Sequence, residues 1–293
     1  MAYRTNFGDL PKEFSGYEKA KIAILPVPYD GTSTWGKGAD KGPAAIIEAS
    51  ANMELYDIET DSIVCEKGIF TDEPVNESQS PKKMAIAVEQ GVKKHLSSGK
   101  FVVLIGGEHS ASIGAVKAHA AHFKDLCVLQ LDAHTDLRPE YLGSNYNHAC
   151  AMARVKEICP IVQVGIRSMD SAEKKFLDRK RVFFWEQGKK EKNWKKKAVS
   201  LLSKNVYITF DLDAFDPGIM PSTGTPEPGG MLWQEALDLL KEVALKKNIV
   251  GFDVVELCPN QYNKAPDFLA AKLIYKLLSY KFYGEKAWKK KIS

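Results

Sequence analysis

The stretch that decides the fold reads Leu129-Gln130-Leu131-Asp132-Ala133-His134-Thr135-Asp136, a short apolar run that ends in three potential metal ligands at alternate positions. Residues i, i+2 and i+4 of a strand point to one side. Asp132, His134 and Asp136 therefore converge if the strand loosens into a loop. Buried carboxylates and an imidazole are costly unless a positive charge neutralises them. The alternative for this stretch alone is an Asp-rich surface turn after a strand.

Two further stretches share this pattern of an apolar strand followed by polar side chains. Val102–Ser110 leads through a glycine pair to His109, and Val206–Asp213 ends in Asp211 and Asp213. Short runs rich in β-branched and aromatic residues are typical of strands buried on both faces. In open α/β sheets, functional groups gather beyond the carboxyl ends of the strands. Two histidines and four aspartates would then meet at one edge, which suits two divalent ions with bridging carboxylates.

Predicted strands and helices alternate along the chain. The strands are residues 21–27, 101–105, 126–131, 161–165, 206–210 and 249–252, and the helices are 44–52, 81–97, 110–122, 232–246 and 266–282. Residues 53–80 are polar and carry no clear periodicity. This alternation predicts a three-layer α/β/α sandwich with a mostly parallel sheet. No break in composition divides residues 1–293, so we expect a single domain.

Composition narrows the class of protein. The hydrophobic fraction of 44% suffices for a substantial core, and the formal net charge of +4 over 293 residues does not indicate nucleic-acid binding. Five cysteines without paired spacing favour a reduced, cytoplasmic protein over a disulfide framework. No segment has about 18 consecutive apolar residues, so we expect no membrane partner. Lys189–Lys197 is rich in lysine and contains Trp194, and we interpret it as a solvated helix face rather than a nucleic-acid site.

The three motifs together resemble the ureohydrolases, the family of arginase and agmatinase. They read Gly-Gly-Glu-His-Ser at 106–110, Asp-Ala-His-Thr-Asp at 132–136 and Asp-Leu-Asp-Ala-Phe-Asp-Pro at 211–217, and the similarity extends from Ile22 to Leu278. The resemblance implies the arginase-like fold, two Mn²⁺ ions per chain and a homo-oligomer, either a trimer or a hexamer. One ion would take His109 and Asp136, the other His134 and Asp213, with Asp132 and Asp211 bridging them.

Carboxylate and imidazole ligands are typical of Mn²⁺ rather than of structural zinc, because structural zinc sites are rich in thiolates. Two cations about 3.5–4 Å apart can share a water and lower its pKa towards neutrality. The resulting bridging hydroxide would attack the carbon of a guanidinium group. Asp136 would also hydrogen-bond the tetrahedral intermediate and pass its proton to the leaving nitrogen.

The resemblance assigns two more residues to the chemistry. Glu256, in the stretch 251–259, matches a family glutamate that forms a two-pronged salt bridge to the substrate guanidinium, a geometry that suits a carboxylate. His148, in Asn147–Cys150, matches a family histidine that shuttles protons to the leaving amine. The alternatives are a surface glutamate at a strand end and a structural histidine in a loop.

The loop 137–146 indicates the kind of substrate. It resembles the agmatinase branch and lacks the arrangement of amide and hydroxyl side chains with which arginases bind the α-carboxylate and α-amine of arginine. We therefore expect hydrolysis of agmatine to putrescine and urea, a step of polyamine biosynthesis. Glu140 and the loop tyrosines would receive a distal ammonium, and Arg138 would point away or pair with a carboxylate such as Glu140.

Other functions are open at this stage. Arginine, guanidinobutyrate or aminopropylagmatine could be the guanidino substrate. A deacetylase-like amidohydrolase would share the general fold but use a single zinc and lack the full ligand set. A non-catalytic relative would be expected to have lost ligands, and all six are present here.

Overall fold

The computed structural model describes residues 6–188 and 190–290. Its centre is an eight-stranded sheet in which every neighbouring pair is parallel. In chain order the strands are β1 (Ile22–Val27), β2 (Ile69–Thr71), β3 (Phe101–Gly106), β4 (Leu126–Leu131), β5 (Ile161–Ile166), β6 (Val182–Phe184), β7 (Asn205–Asp211) and β8 (Asn248–Val255). Their order across the sheet is β2-β1-β3-β8-β7-β4-β5-β6.

Helices cover both faces of this sheet, as the run of fully buried residues in β1, β3, β4 and β5 requires. They are α1 (Lys12–Ser15), α2 (Gly42–Ser50), α3 (Pro81–Ser97), α4 (Ala111–His122), α5 (Ala151–Lys156), α6 (Trp185–Gly188), α7 (Trp194–Ser200), α8 (Trp233–Lys246) and α9 (Ala265–Lys290).

Two hydrophobic cores lie on opposite faces of the sheet. Ile22 and Ile24 of β1 belong to the core that includes α2, α8 and α9, whereas Leu25 and Val27 belong to the core that includes α3, α4 and α5. The predicted three-layer α/β/α sandwich with a parallel sheet is therefore confirmed.

The long predicted elements are present with small shifts of their ends. Helix α3 begins where Ser80 caps it, because the Ser80 hydroxyl accepts the backbone N–H of Lys83 and Pro81 occupies the first turn. The short edge strands β2 and β6 were not predicted. Each has three residues, too few to carry a readable alternation.

The basic stretch presents a solvated face, since Lys192, Lys196 and Lys197 are exposed, whereas its tryptophan enters the core. Trp194 is buried and packs edge-on against Trp185, with ring centroids 5.6 Å apart. Lys195 pairs with Asp238 on α8. Lys189 lies outside the described residues. Among the helices of the described ranges, none is long and apolar enough to cross a membrane.

Candidate metal centre

The predicted ligands meet beyond the carboxyl ends of three central strands. His109 lies in the turn between β3 and α4, Asp132 directly follows β4, and Asp211 is the last residue of β7. Two overlapping clusters result, His109–Asp132–Asp211 and Asp132–His134–Asp213, and within each cluster the potential ligand atoms all lie within 4.8 Å of one another. Asp132 belongs to both clusters, which is the arrangement that a bridging carboxylate requires.

The imidazole of His109 faces three carboxylates. Its Nδ1 lies 3.1 Å from Oδ2 of Asp132, 2.9 Å from Oδ2 of Asp136 and 3.3 Å from Oδ2 of Asp211. The sixth predicted ligand, Asp136, therefore joins the first cluster. Nδ1 is buried, yet it has no hydrogen-bond partner among the described residues. A buried ring nitrogen without a partner, surrounded by carboxylate oxygens, fits a cation between them.

The second ring nitrogen of His109 is held by Thr209, so Nδ1 is the nitrogen that faces the carboxylates. Nε2 lies 2.9 Å from the hydroxyl of Thr209, and that hydroxyl donates to Oδ1 of Asp253 at 2.7 Å. Because the Thr209 proton goes to Asp253, Nε2 must carry the proton that His109 donates to Thr209. Thr209 and Asp253 were not singled out in the sequence, although both lie in buried strands where a polar residue is unusual.

The second cluster lies closer to solvent. Nδ1 of His134 is 2.9 Å from Oδ2 of Asp213 and 3.6 Å from Oδ1 of Asp132. The other oxygen of Asp213 accepts the backbone N–H of Ala133 at 3.0 Å, which fixes the carboxylate. The His134 side chain is 25% exposed, compared with 1% for His109.

The electrostatics of the centre also fit cations. Burial, together with the charges of Asp213 and Asp132, raises the pKa of Asp211 well above its usual range. Burial and the charge of Asp132 raise the pKa of Asp136 to about 6. Burial by itself would lower the pKa of His109, but the carboxylates around it raise that pKa well above its usual value. Several carboxylates lie close together in a buried site, and two divalent ions would neutralise their charge. The residues therefore fit a two-ion centre.

Glu256 lies beside the first cluster. It follows β8 with a left-handed backbone, φ 69°, which is uncommon for a residue other than glycine. Its backbone N–H donates to the carbonyl of Gly107 at 2.7 Å, and its Oε1 accepts the backbone N–H of His109 at 2.7 Å. Burial, then the charge of Glu108, raises the pKa of Glu256 well above its usual range. The strained turn thus holds a buried carboxylate against the ligand cluster.

His148 opens a short 3₁₀ turn that Asn147 caps. Its backbone N–H donates to the Thr32 hydroxyl at 2.9 Å, and its ring Nδ1 lies 3.1 Å from the same oxygen. Burial, then repulsion from His109, lowers the pKa of His148 to about 4. The ring is therefore neutral near pH 7.

A cavity of about 200 Å³ joins these groups, since His109, His134, Asp136, His148 and Glu256 all line it. A substrate that enters it would meet the ligand clusters, the buried carboxylate and the neutral imidazole together. Trp35, 82% exposed, also lines the cavity.

The outer wall of the cavity contains Arg138, held by two carboxylates. Its Nη2 lies 3.2 Å from Asp170, its Nε lies 3.7 Å from Glu173, and its guanidinium lies 4.4 Å from the ring centroid of Tyr141. Arg138 is paired as predicted, but with Asp170 and Glu173 rather than with Glu140. Glu140 is exposed and is not among the residues that line the cavity.

Asp170 and Glu173 were not predicted as site residues. The two form a capping box, in which each side chain accepts a hydrogen bond from the backbone at the start of a 3₁₀ turn. The Asp-x-x-Glu spacing after β5 is a known sequence signal for such a cap, so it could have located them.

Three parallel strand ends that deliver carboxylates and imidazoles to one cavity define a binuclear metallohydrolase of the α/β/α class. The family model described as the Arginase family matches residues 20–279. The chain therefore belongs to the arginase family, whose members are binuclear metal-dependent enzymes. It is an agmatinase-like ureohydrolase, a hydrolase of guanidino compounds.

Named relatives lie within the same family. An N(1)-aminopropylagmatine ureohydrolase from Synechocystis sp. is 37% identical over 96% of this chain and 96% of its own length. One from Thermus thermophilus is 39% identical over 90% of this chain and 92% of its own length. The crystal structure of the agmatine ureohydrolase of Thermoplasma volcanium matches with a TM-score of 0.84 at 32% identity, over 96% of this chain and 94% of that one.

Proposed function

We propose that this chain hydrolyses the guanidinium group of agmatine, or of agmatine extended by an aminopropyl group, to urea and the free amine. The observation that carries this proposal is the single cavity lined by both ligand clusters, Glu256 and His148. The extended substrate is included because two similar relatives bear the name N(1)-aminopropylagmatine ureohydrolase.

The proposed cofactor is a pair of Mn²⁺ ions. Oxygen and imidazole donors without a thiolate suit this ion. Bound in the centre, the two ions would supply Lewis-acid activation of a water molecule as the nucleophile. One ion would be held by His109 and Asp136, the other by His134 and Asp213, and both by Asp132 and Asp211.

The chain's own residues would orient the substrate and move protons. Glu256 would pair with the guanidinium, since it lines the cavity and the His109 N–H, which donates to Oε1, holds its carboxyl group in place. In the reaction, water adds to the guanidinium carbon and the bond from this carbon to the alkyl-bearing nitrogen breaks. Asp136 would carry one of the two water protons to that nitrogen, and His148 would deliver a proton taken from solvent to the departing amine, in balance with the other water proton, which is released to solvent.

The preference for an amine end follows from the outer wall. Because Asp170 and Glu173 already pair with Arg138, its charge is largely neutralised before a substrate arrives. A carboxylate-ended guanidino compound would have to compete with those two carboxylates. An ammonium could instead meet the exposed ring of Trp35, which also lines the cavity, whereas the ring of Tyr141 already carries the Arg138 guanidinium.

We further propose that the protein works as a cytoplasmic homo-oligomer, a trimer or a hexamer, as expected for a family of oligomeric enzymes. The five cysteines are all free, in agreement with a reducing compartment. Light scattering coupled to gel filtration would give the mass of the assembly, and a monomeric mass would contradict this part of the proposal.

A urea-release assay with Mn²⁺ tests the activity. Agmatine, N(1)-aminopropylagmatine, arginine and guanidinobutyrate are compared by kcat/KM. We expect one of the two amine-ended compounds to have the highest value, and their ratio identifies the substrate. A higher kcat/KM for arginine or guanidinobutyrate would refute the proposed specificity, and no urea from any of the four would refute the proposed function.

A further inference from the structure

Glu108 is a fully buried carboxylate that belongs to neither ligand cluster. Its Oε2 accepts the backbone N–H of Thr32 at 2.5 Å, and its Oε1 accepts the hydroxyl of Thr32 at 2.6 Å. The Ser110 hydroxyl also donates to Oε1, at 2.5 Å. Both oxygens of Glu108 therefore accept hydrogen bonds from Thr32, the residue that contacts His148.

The hydroxyl of Thr32 has one proton and two lone pairs. With Glu108 ionised, its oxygens can only accept, so the proton in the 2.6 Å contact is that of the Thr32 hydroxyl and is directed at Oε1. One lone pair accepts the backbone N–H of His148 at 2.9 Å. The remaining lone pair faces Nδ1 of His148 at 3.1 Å, so Thr32 can only accept a hydrogen bond from this nitrogen.

We propose that Glu108 and Thr32 are positioning residues that fix His148 as the neutral Nδ1–H tautomer, with the lone pair of Nε2 available to the cavity. Among the described residues, the ring hydrogen-bonds through Nδ1 alone, and His148 lines the cavity. This inference rests on the proposed function, in which His148 transfers a proton to the leaving amine.

The tautomer sets the direction of proton transfer. With its proton on Nδ1, the ring first accepts a proton from solvent at Nε2 and then gives the same proton to the amine nitrogen. The ring returns to its starting form, and the Nδ1 proton stays on the ring, donated to Thr32, throughout. The opposite tautomer would present an N–H to the cavity, with its basic nitrogen turned towards Thr32.

A purely structural role for the pair makes different predictions. Glu108 and Thr32 also tie the loop after β1 to the turn after β3, and this tie alone would not depend on which ring nitrogen is protonated. The tautomer of His148 is therefore the decisive quantity, and it can be measured without any turnover.

Long-range ¹H–¹⁵N correlation spectra of histidine-labelled protein, with diamagnetic Mg²⁺ in the sample, report the tautomer. The signal of His148 among the six histidines is assigned by its loss in His148→Asn. We expect the Nδ1–H form in the wild type and in Thr32→Ser, which keeps the hydroxyl. A protonated Glu108 would instead produce the Nε2–H form of the ring. Finding that form in the wild type would overturn the proposal.

Glu108→Gln provides the sharpest variant. The backbone N–H of Thr32 can only donate, so the amide oxygen must take the place of Oε2 and the amide nitrogen must face the Thr32 hydroxyl. The hydroxyl proton is then free to turn to Nδ1, and the ring should change to the Nε2–H form. Thr32→Val should leave a mixture of tautomers. An unchanged ring in both variants would refute the role of the pair.

Activity separates this inference from the proposed function. Thr32→Val should lower kcat for agmatine by about 10-fold or more, within the usual range for acid–base catalysis, and change KM little. In a His148→Asn background the same substitution should have almost no further effect, and an equal loss in both backgrounds would indicate a structural role. If His148→Asn alone keeps full kcat, the proposed proton transfer fails, whereas the spectra still decide the tautomer.

Discussion

Replacing Glu256 by glutamine removes the carboxyl group that would pair with the substrate guanidinium and little else. The amide oxygen can still accept the backbone N–H of His109, which the carboxylate now accepts at 2.7 Å. The left-handed turn at φ 69° does not depend on the side-chain charge. Glu256 is not in either ligand cluster, so metal content should be unchanged.

The size of the effect follows from the burial of the pair that would be lost. Glu256 is 8% exposed, and the aspartates that share its cavity would be committed to the two ions, so a guanidinium would depend on Glu256 for its ion pair. Truncating one partner of a buried charged pair costs roughly 2–5 kcal/mol. At about 1.4 kcal/mol per factor of ten, kcat/KM should fall by about 30-fold to 4,000-fold.

The assay is urea release from agmatine with Mn²⁺ present, accompanied by metal analysis of the same samples. Glu73→Gln is a matched control, since this exposed glutamate follows the edge strand β2 at the same end of the sheet. It should behave as the wild type does. Near-wild-type kcat/KM in Glu256→Gln would show that Glu256 is only a strand-end carboxylate, and loss of metal would show that it supports the centre instead.

Three further outcomes are expected. Metal analysis should give two ions per wild-type chain and one or fewer in Asp132→Asn, because Asp132 belongs to both clusters; a wild type that never exceeds one ion would contradict a two-ion centre. Arg138→Ala should change agmatine turnover by less than about five-fold, the equivalent of about 1 kcal/mol, because Arg138 is already paired with Asp170 and Glu173 and would not contact an amine end. A selective loss of guanidinobutyrate hydrolysis would instead assign Arg138 to carboxylate binding. Burial by itself would raise the pKa of Glu59, but hydrogen bonds from Lys241 and Lys276 lower it to about 2. The contribution of Glu59 to the free energy of unfolding is therefore complete above the ordinary pKa of 4.5 and is lost as the pH falls towards 2. Urea unfolding of Glu59→Gln should therefore show a deficit of about 1 kcal/mol at pH 7 that shrinks at pH 3, and a deficit that is constant with pH would refute this linkage.

The sequence predicted the central strands and the ligand positions because both follow from local rules. Alternate residues of a strand point to one side, and parallel strands end at a common edge. This geometry places Asp132, Asp211 and their neighbours close together. The buried runs of β3, β4 and β7 also identify themselves by composition. The three-residue strands β2 and β6 could not be found in this way, since their pairing depends on the neighbouring strand.

The partners of Arg138 could not be predicted because they lie far from it along the chain. The predicted partner, Glu140, lies two residues from Arg138 in sequence, whereas Asp170 and Glu173 belong to a different loop, which β5 brings to the same edge of the sheet. The same is true of Thr32, 116 residues from His148 and 76 from Glu108. Single-sequence patterns report the period of one strand or helix and carry no signal for pairs between loops. Ligands on strand ends can therefore be predicted from sequence, while the side chains that orient a proton or neutralise a wall charge must be read from the assembled structure.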